Sequence, residues 1–442
     1  MSRELLATTA SALRLLVCAD VHIGRRSGGL PADLAEELTP AAAWERAVAY
    51  AISERVAALV VCGDLADEGN AYFEALAPLE RAAAALAAAG ISFVTVAGNH
   101  DWDVLGRLAD SAAAGGVVVL GRGGRWQHLD LVGVDGARVR LFGWSFPQRR
   151  VTESPLASFP LGDLDAGLVS LGLLHADLNA SGGGYCPVSR AALSAVPVDG
   201  WILGHQHQPT PAAALNGRPV VLYPGSLQGL DAGPSERGSH GPWLVEVGAA
   251  GVQVRLVPQA VVRYDDCVVD VEGVRCGGDV QVRLVQALRA AVASAQADSP
   301  GLRCALLRLR LVGRTTVPRP AIDEQLRELQ QVSDLGTGVR VVLDGWSVRT
   351  LPPLDLAGLR LTPTPLGAAV RLWLELTGQA GTEAGAAAAL AGLQERLASF
   401  AARGYGSLGP ARPDLPQCRE LMAVQAERLI EALYAQKERV DG

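Results

Sequence analysis

No stretch of this chain runs to about 18 consecutive apolar residues, so the sequence offers no candidate membrane-spanning helix. The N-terminal apolar segment Leu13–Ala19 is short and leads directly into Asp20 and His22 rather than into a small-residue cleavage site. It reads as a core strand, not a signal peptide. None of the seven cysteines stands in a CxxC pair, and their number is odd. That excludes the usual disulfide framework and a thiolate zinc site. Cys18 and Cys62 sit inside apolar runs, where a free thiol behaves as a small hydrophobe. The expectation is a cytoplasmic protein in a reducing compartment, with no membrane contact. Lysine is nearly absent: Lys437 is the single one among 39 basic residues, a compositional bias without functional weight. Internal repeats and disorder-prone composition are missing as well.

What is present suffices for a globular chain. At 442 residues the length prior is two to three domains of about 150 residues each. Hydrophobic residues make up 49% and mean hydropathy is +0.21, ample for a buried core. The net charge of −7 argues at first against a polyanionic partner. Its distribution changes that reading. Residues 1–260 hold 18 Lys+Arg against 25 Asp+Glu, and residues 261–442 hold 21 of each. The excess acid therefore lies in the part that carries the candidate metal ligands, where divalent cations would reverse the local sign.

The first hundred residues alternate strand and amphipathic helix: strands at Leu13–Ala19, Ala58–Cys62 and Ser92–Ala97, helices at Ala41–Val56 and Ala71–Ala88. This is the pattern of βαβ units and a largely parallel sheet. Shorter strands between Gly-rich turns follow, at Val117–Leu120, Gln127–Val132, Arg138–Phe142 and Val169–Leu174, and Trp243–Val257 closes the domain. Two face-to-face sheets with helices outside accommodate both halves. A second α/β segment has helices at Val280–Ala295 and Ile322–Val332 and strands at Leu306–Val312 and Val339–Leu343. Prolines at 352, 353, 363 and 365 mark a break before helical stretches at Leu366–Leu376, Glu383–Ala402 and Cys418–Lys437, the last two parted by Gly404–Pro416.

Five polar blocks sit where apolar strands end: Asp20-Val-His22, Asp64 with Asp67 just after, Asn99-His100-Asp101, His175, and His205-Gln-His207. In open α/β sheets ligands bind outside the carboxyl ends of strands, so the five blocks converge on one rim. Residues i and i+2 of an extended segment face the same way, which would let each x-spaced pair serve one site. Singly these signals are weak; a DxH is common by chance, and GNHD is also a good turn. Together they are not, because five of the seven histidines fall in these blocks. Carboxylate, imidazole and amide oxygens suit Mn²⁺, Fe or Zn²⁺, with Mg²⁺ also compatible. A carboxylate can bridge two such ions about 3.5–4 Å apart, the separation used for in-line phosphoryl displacement.

The ordered set DVH, GDLAD, GNHD, LLH and GHQH resembles the motifs of the calcineurin-like metallophosphoesterases over about residues 13–257. The resemblance implies an α/β fold, a four-layer α/β/β/α sandwich over residues 1–258, followed by a small α/β capping domain over 259–355 and C-terminal helices over 356–442. It also implies roles. Asp20, His22 and His207 would hold one metal; Asn99, His175 and His205 the other; Asp64 would bridge. His100, oriented by Asp101, would assist the leaving oxygen, and the cofactor would be two divalent ions, Mn²⁺ first among them.

Further residues narrow the resemblance to bacterial DNA repair exonucleases of the SbcD and YhaO type: Val220–Gly229 followed by Trp243–Val247, His175–Leu178 through Gly184–Val188, and Cys304–Arg314. Two sites depart from that pattern. Ala66 replaces a large apolar residue, and Leu230–Pro234 replaces an Arg-containing loop. The resemblance implies a DNA double-strand-break repair exonuclease subunit, paired with a coiled-coil SbcC-type ATPase and forming a homodimer. DNA contact would fall to Arg25, Arg26, Arg149 and Arg150 through phosphates, the alternative for these two pairs being a solvated face with local salt bridges. Arg308 and Arg310 share one strand face, with Arg314 beyond, and the first two read better as a solvated face. Leu421, Val424, Leu429 and Leu433 share most of one face of the last helix, which would pack on its own domain or dock on the ATPase. The competing readings are a nucleotide or other small-phosphoester hydrolase, and a non-hydrolytic scaffold that binds DNA or an ATPase.

Overall fold

The computed structural model describes residues 13–68, 71–110, 116–133, 136–178, 184–215, 218–248, 251–332, 334–351, 353–381, 384–402 and 415–441. The chain divides into two compact units, Met1–Gly313 with Val317–Thr350, and Arg314–Thr316 with Leu351–Gly442. Among the described residues no helix is long and apolar enough to cross a membrane.

The strands of the larger unit, in chain order, begin with β1 (Leu13–Cys18), β2 (Ala58–Cys62), β3 (Ser92–Val96), β4 (Val117–Val119), β5 (Gln127–Val132), β6 (Arg138–Trp144) and β7 (Val169–His175). After the short β8 (Asp177–Leu178) and β9 (Pro187–Val188) come β10 (Gly200–Gly204), β11 (Thr210–Leu215), β12 (Arg218–Tyr223), β13 (Trp243–Gly248) and β14 (Gly251–Leu256). One six-stranded sheet runs β14-β13-β1-β2-β3-β4 and the other β11-β12-β10-β7-β6-β5. Strands β1 to β4 are mutually parallel, as are β6, β7, β10 and β12, so each sheet ends a row of strands on one edge.

Both faces of the central strands are covered, as parallel strands require. Leu13, Leu15 and Val17 of β1 meet Leu141, Leu171, Ile202 and Leu222 in the core between the sheets. Leu16 and Cys18 point the other way, into the helices. There the helix Pro40–Ser53 starts with Pro at its first position and Thr39 accepting from the Ala42 N–H, and it buries Ala43, Trp44, Ala47, Val48 and Ala51 on one stripe. Helix Ala71–Ala88 adds Ala75, Leu79 and Leu86 to the same layer. On the outer face of the second sheet, Phe142, Leu174, Trp201 and Leu203 pack with Leu193 and Val196 at the short helix Arg190–Ala195. The result is the expected α/β/β/α sandwich, with a thin outermost layer on the second sheet.

The same unit continues into a three-stranded sheet of β15 (Val262–Asp270), β16 (Cys304–Arg314) and β17 (Arg340–Leu351). Helices Gly277–Asp298 and Arg319–Gln330 cover one face through Val280, Leu284, Leu288, Ile322 and Leu326. Tyr264 and Leu306 on the other face pack with Leu30, Leu34 and Leu38 of the first domain. Strand β15 escapes a sequence reading because its covered face changes midway. Val262 and Tyr264 are buried on one side and Cys267 and Val269 on the other, so no single alternation spans it.

In the smaller unit, helix Pro365–Leu376 buries Leu366, Val370 and Leu374 against Ile430, Leu433 and Tyr434 of helix Leu415–Asp441. Helix Ala384–Ala402 joins them through Ala386 and Leu390, which meet Cys418 and Ala426. The last helix thus packs on its own unit, but not through the stripe expected. Leu433 faces inward, whereas Leu421, Val424 and Leu429 are exposed, because Cys418, Ala426 and Ile430 supply the inward face. Arg314 lies 3.5 Å from Glu431. Of the linker Gly404–Pro416, only Leu415 and Pro416 are described; residues 404–414 and Glu383 lie outside the described residues.

Candidate metal centre

Six of the seven expected ligands, Asp20, His22, Asp64, Asn99, His175 and His207, come together where the two sheets' strand ends face each other, and the seventh, His205, stands at their margin. Ligand atoms of Asp20, His22 and His207 lie within 4.8 Å of one another, as do those of His22, Asp64 and His100, and those of Asp20, Asp64 and His175. Asp64 is central: one carboxylate oxygen is 3.3 Å from His175 Nε2 and 4.0 Å from the Nε2 atoms of His22 and His100. Asn99 Oδ1 lies 3.0 Å from His175 Nε2. The His205 ring stands edge-on to His175 at 5.3 Å and beside Tyr185 at 5.5 Å, outside the three tight groups.

The backbone delivers these side chains by a route different from the extended one expected. Asp20 (φ 49°), His22 (φ 52°), Asp64 (φ 50°) and His205 (φ 100°) all have positive φ. Such conformations disfavour a Cβ and persist where surroundings over-determine them, as at functional sites. Here the surroundings are main chain: Asp20 N–H donates to Gly63 O, His22 N–H to Asp64 O and Ile23 N–H to Leu65 O. Two glycines allow the close approach. A Cβ on Gly98 would overlap the Asp64 carboxylate, and one on Gly204 the Cys62 carbonyl.

The carboxylates are fixed by N–H groups. Asp20 accepts from His205 N at 3.1 Å and Asp64 from His100 N at 2.9 Å. Asp101 is fully buried and accepts from Leu65 N (2.7 Å) and Gly98 N (2.8 Å). This corrects its expected role: Asp101 holds two ligand loops together, and the acid facing His100 is Asp67, 3.1 Å from Nδ1. Burial, with Asp64 nearby, pushes the Asp101 carboxyl up to about 7.

The imidazoles show what the centre is built to hold. His175 Nδ1 is 3.1 Å from Cys62 O, so it carries the proton and leaves Nε2 as a bare lone pair. That lone pair faces Asn99 Oδ1 and an Asp64 oxygen, both acceptors. His22 Nδ1 meets Asp67 at 3.0 Å, and His207 Nδ1 meets Glu236. Their Nε2 atoms then face each other at 3.2 Å. Acceptor against acceptor is repulsive unless a proton or a cation lies between. Burial would lower His175, yet Asp64 and Asp20 raise it to about 9. Burial likewise disfavours ionised Asp64, but His175, His22 and His100 outweigh it and hold the carboxyl well below its usual range. Asp20 is raised, first by burial. His205 is lowered to about 4 by burial and by the neighbouring His175.

Residues 13–209 match the sequence profile of the calcineurin-like phosphoesterase family. The chain carries a calcineurin-like metallophosphoesterase domain. It is 28% identical over 240 residues to the uncharacterised metallophosphoesterase YhaO of Bacillus subtilis (strain 168), covering 50% of this chain and 53% of the relative. The match therefore spans about half the length of that curated relative. Among solved structures, a dimetal phosphatase from Danio rerio aligns at 15% identity with a TM-score of 0.34, over 55% of this chain and 98% of that one.

The phosphoesterase domain's residues fit two divalent ions: the Nε2 atoms of three imidazoles converge with two buried carboxylates and an amide oxygen. Sequence reasoning missed three orienting groups. Asp67 was visible in its block but had no assigned role. Glu236 lies in a loop with no motif around it, and Cys62 O is a backbone atom. Of the arginines, Arg25 pairs with Asp231 at 2.8 Å, Arg149 with Glu68, and Arg308 with Asp344 at 2.7 Å. Arg26 is exposed next to a 190 Å³ hollow lined by Ile23, Thr39 and Glu74, and Arg150 is exposed.

Proposed function

We propose that this metallophosphoesterase is a two-metal phosphodiesterase acting on DNA, as the exonuclease subunit of a double-strand-break repair complex. Asp20, His22 and His207 would hold one ion and Asn99, His175 and His205 the other, with Asp64 between them. Two divalent ions, Mn²⁺ in this reading, would polarise the phosphoryl group and generate the nucleophile at neutral pH. His100 then manages the proton of the leaving oxygen. Burial works against its charge, but Asp67 and then Asp64 raise its pKa, so the imidazolium is available as an acid.

The observation that carries the reading beyond simple phosphoesters is the sheet of β15 to β17. It seats on loops that follow two of the ligand pairs: Tyr264 OH donates to Gly28 O, Gly238 N–H donates to Tyr264 O, and Arg303 pairs with Glu37. A cap of that size beside the candidate metal centre suits a polymer. Arg25, Arg26, Arg149 and Arg150 would contact phosphates, and exposed Leu421, Val424 and Leu429 would meet a coiled-coil ATPase. A second copy of the chain would complete a homodimer, and seven free cysteines fit a cytoplasmic setting. The pairing of Arg25 and Arg149 with carboxylates favours a second reading, hydrolysis of a nucleotide or other small phosphoester.

The test is hydrolysis of linear duplex DNA and of bis-p-nitrophenyl phosphate with added Mn²⁺, for wild type and His100→Ala. The expected result is cleavage of both by wild type, and a loss of DNA cleavage of about 10²–10⁴-fold in the variant with metal content retained. Cleavage of the small ester alone, even with an ATPase partner supplied, replaces the nuclease reading with the second one. Two bound metals without cleavage of either would leave a scaffold.

A further inference from the structure

Glu236 lies 29 residues beyond His207, in the loop between β12 and β13. It is 3% exposed, an uncommon place for a carboxylate without a task. Both its oxygens are engaged. One meets His207 Nδ1, and the other accepts from Leu230 N–H at 3.0 Å. Its own carbonyl lies 3.1 Å from Nε2 of the buried His240, whose Nδ1 lies 3.1 Å from Ser226 Oγ. The loop is further tied to the cap, since Arg237 pairs with Asp266 and Gly238 N–H donates to Tyr264 O. Glu236 is therefore held from both sides of the loop that carries it.

We infer that Glu236 is a positioning residue for His207, fixing the tautomer and the ring plane that present Nε2 to one of the two ions. The inference rests on the two-metal reading. A carboxylate is required because both partners are donors: His207 Nδ1–H and Leu230 N–H each need an oxygen. An amide has one acceptor, so Gln would leave one donor facing an NH₂ group. With His207 Nδ1 unclaimed, the ring is free to protonate at Nε2 or rotate, and either removes a ligand. Carboxylates that orient metal-bound imidazoles are typically worth 10–100-fold in metal affinity.

The experiment is calorimetric titration of the metal-stripped full chain with Mn²⁺, for wild type, Glu236→Gln and Glu236→Asp, beside thermal melting of each metal-free protein. Wild type should bind two ions. Glu236→Gln should weaken one of them by about 10–100-fold and leave the other unchanged, while the metal-free protein melts at a somewhat lower temperature but still folds cooperatively and can be titrated. Glu236→Asp keeps the charge but draws it back by one methylene, and should fall between. Two sites of wild-type affinity in Glu236→Gln would overturn the inference. Equal weakening of both sites would overturn it too, by assigning the effect to the loop instead of to His207. A wild type that binds fewer than two ions fails the two-metal reading itself, a separate outcome.

Discussion

The two sheets bring different chemistry to one rim. The first sheet's strand ends supply Asp20, Asp64 and Asn99 along with His22 and His100; the second supplies imidazoles only, His175, His205 and His207. Their supports differ as well. Carboxylates are caught by N–H groups of neighbouring ligand loops, as Asp20 is by His205 N and Asp64 by His100 N. Three of the imidazoles instead need an acceptor from elsewhere: Cys62 O for His175, Asp67 for His22, Glu236 for His207. The reason is chemical. A carboxylate is acceptor on every side and only has to be placed, whereas an imidazole must also be told which nitrogen keeps the proton.

The largest effect should come from the carboxylate that joins the two halves. Asp64 faces His175 from the second sheet and both His22 and His100 from the first. Asp64→Asn keeps the shape and removes the charge. Metal content should fall at both positions, and activity should drop on the order of 10³-fold or more, since several kcal/mol of charge stabilisation depend on the ions. Metal analysis beside kinetics checks this. A variant that keeps two ions and loses less than tenfold would break the view of Asp64 as the joint between the sheets.

Asp67 sharpens the contrast at an intermediate size. One of its oxygens lies 3.0 Å from His22 Nδ1 and 3.1 Å from His100 Nδ1, so a single acid serves a ligand and a proton donor. Asp67→Asn should weaken the ion held by His22 by about 10–100-fold. It should also change the pH profile. Asp67 helps raise the His100 pKa, and the acid form of His100 is lost as pH rises through it. Without Asp67 that pKa is lower, so the alkaline limb of kcat should move to lower pH at saturating metal. A limb that stays in place would show that another group sets it.

The same division explains what the residues disclosed in advance. The ligands were legible because each sits at the end of an apolar strand in an ordered motif, and β2 and the helix Ala71–Ala88 fell where the pattern put them. Orientation was not legible. Asp101 stands beside His100 in sequence, yet its carboxylate turns inward to Leu65 N and Gly98 N. The partner is Asp67, brought by a different strand. Asp20 and His22 share a side for a reason periodicity does not carry, their left-handed backbone pinned along residues 63–65. Pairing of Arg25 with Asp231 across 206 residues is equally invisible to composition.

The smallest expected effect lies at His240, in the segment between β12 and β13. Its Nε2 lies 3.1 Å from Glu236 O, and its Nδ1 lies 3.1 Å from both the Oγ and the carbonyl oxygen of Ser226. Burial, opposed in part by Glu236, lowers its pKa below the ordinary 6.5. A histidine with a depressed folded pKa binds its proton more readily once unfolded. Its contribution to stability is thus complete above the unfolded value and is lost as pH falls through the folded one. Urea midpoints of the metal-free chain at pH 7.5 and pH 5 should therefore fall further for wild type than for His240→Gln, whose amide does not titrate. Parallel falls would assign the acid sensitivity to the metal ligands instead. In that case the loop holding Glu236 would be set by its ties to Tyr264 and Asp266 in the cap, not by the imidazole beneath it.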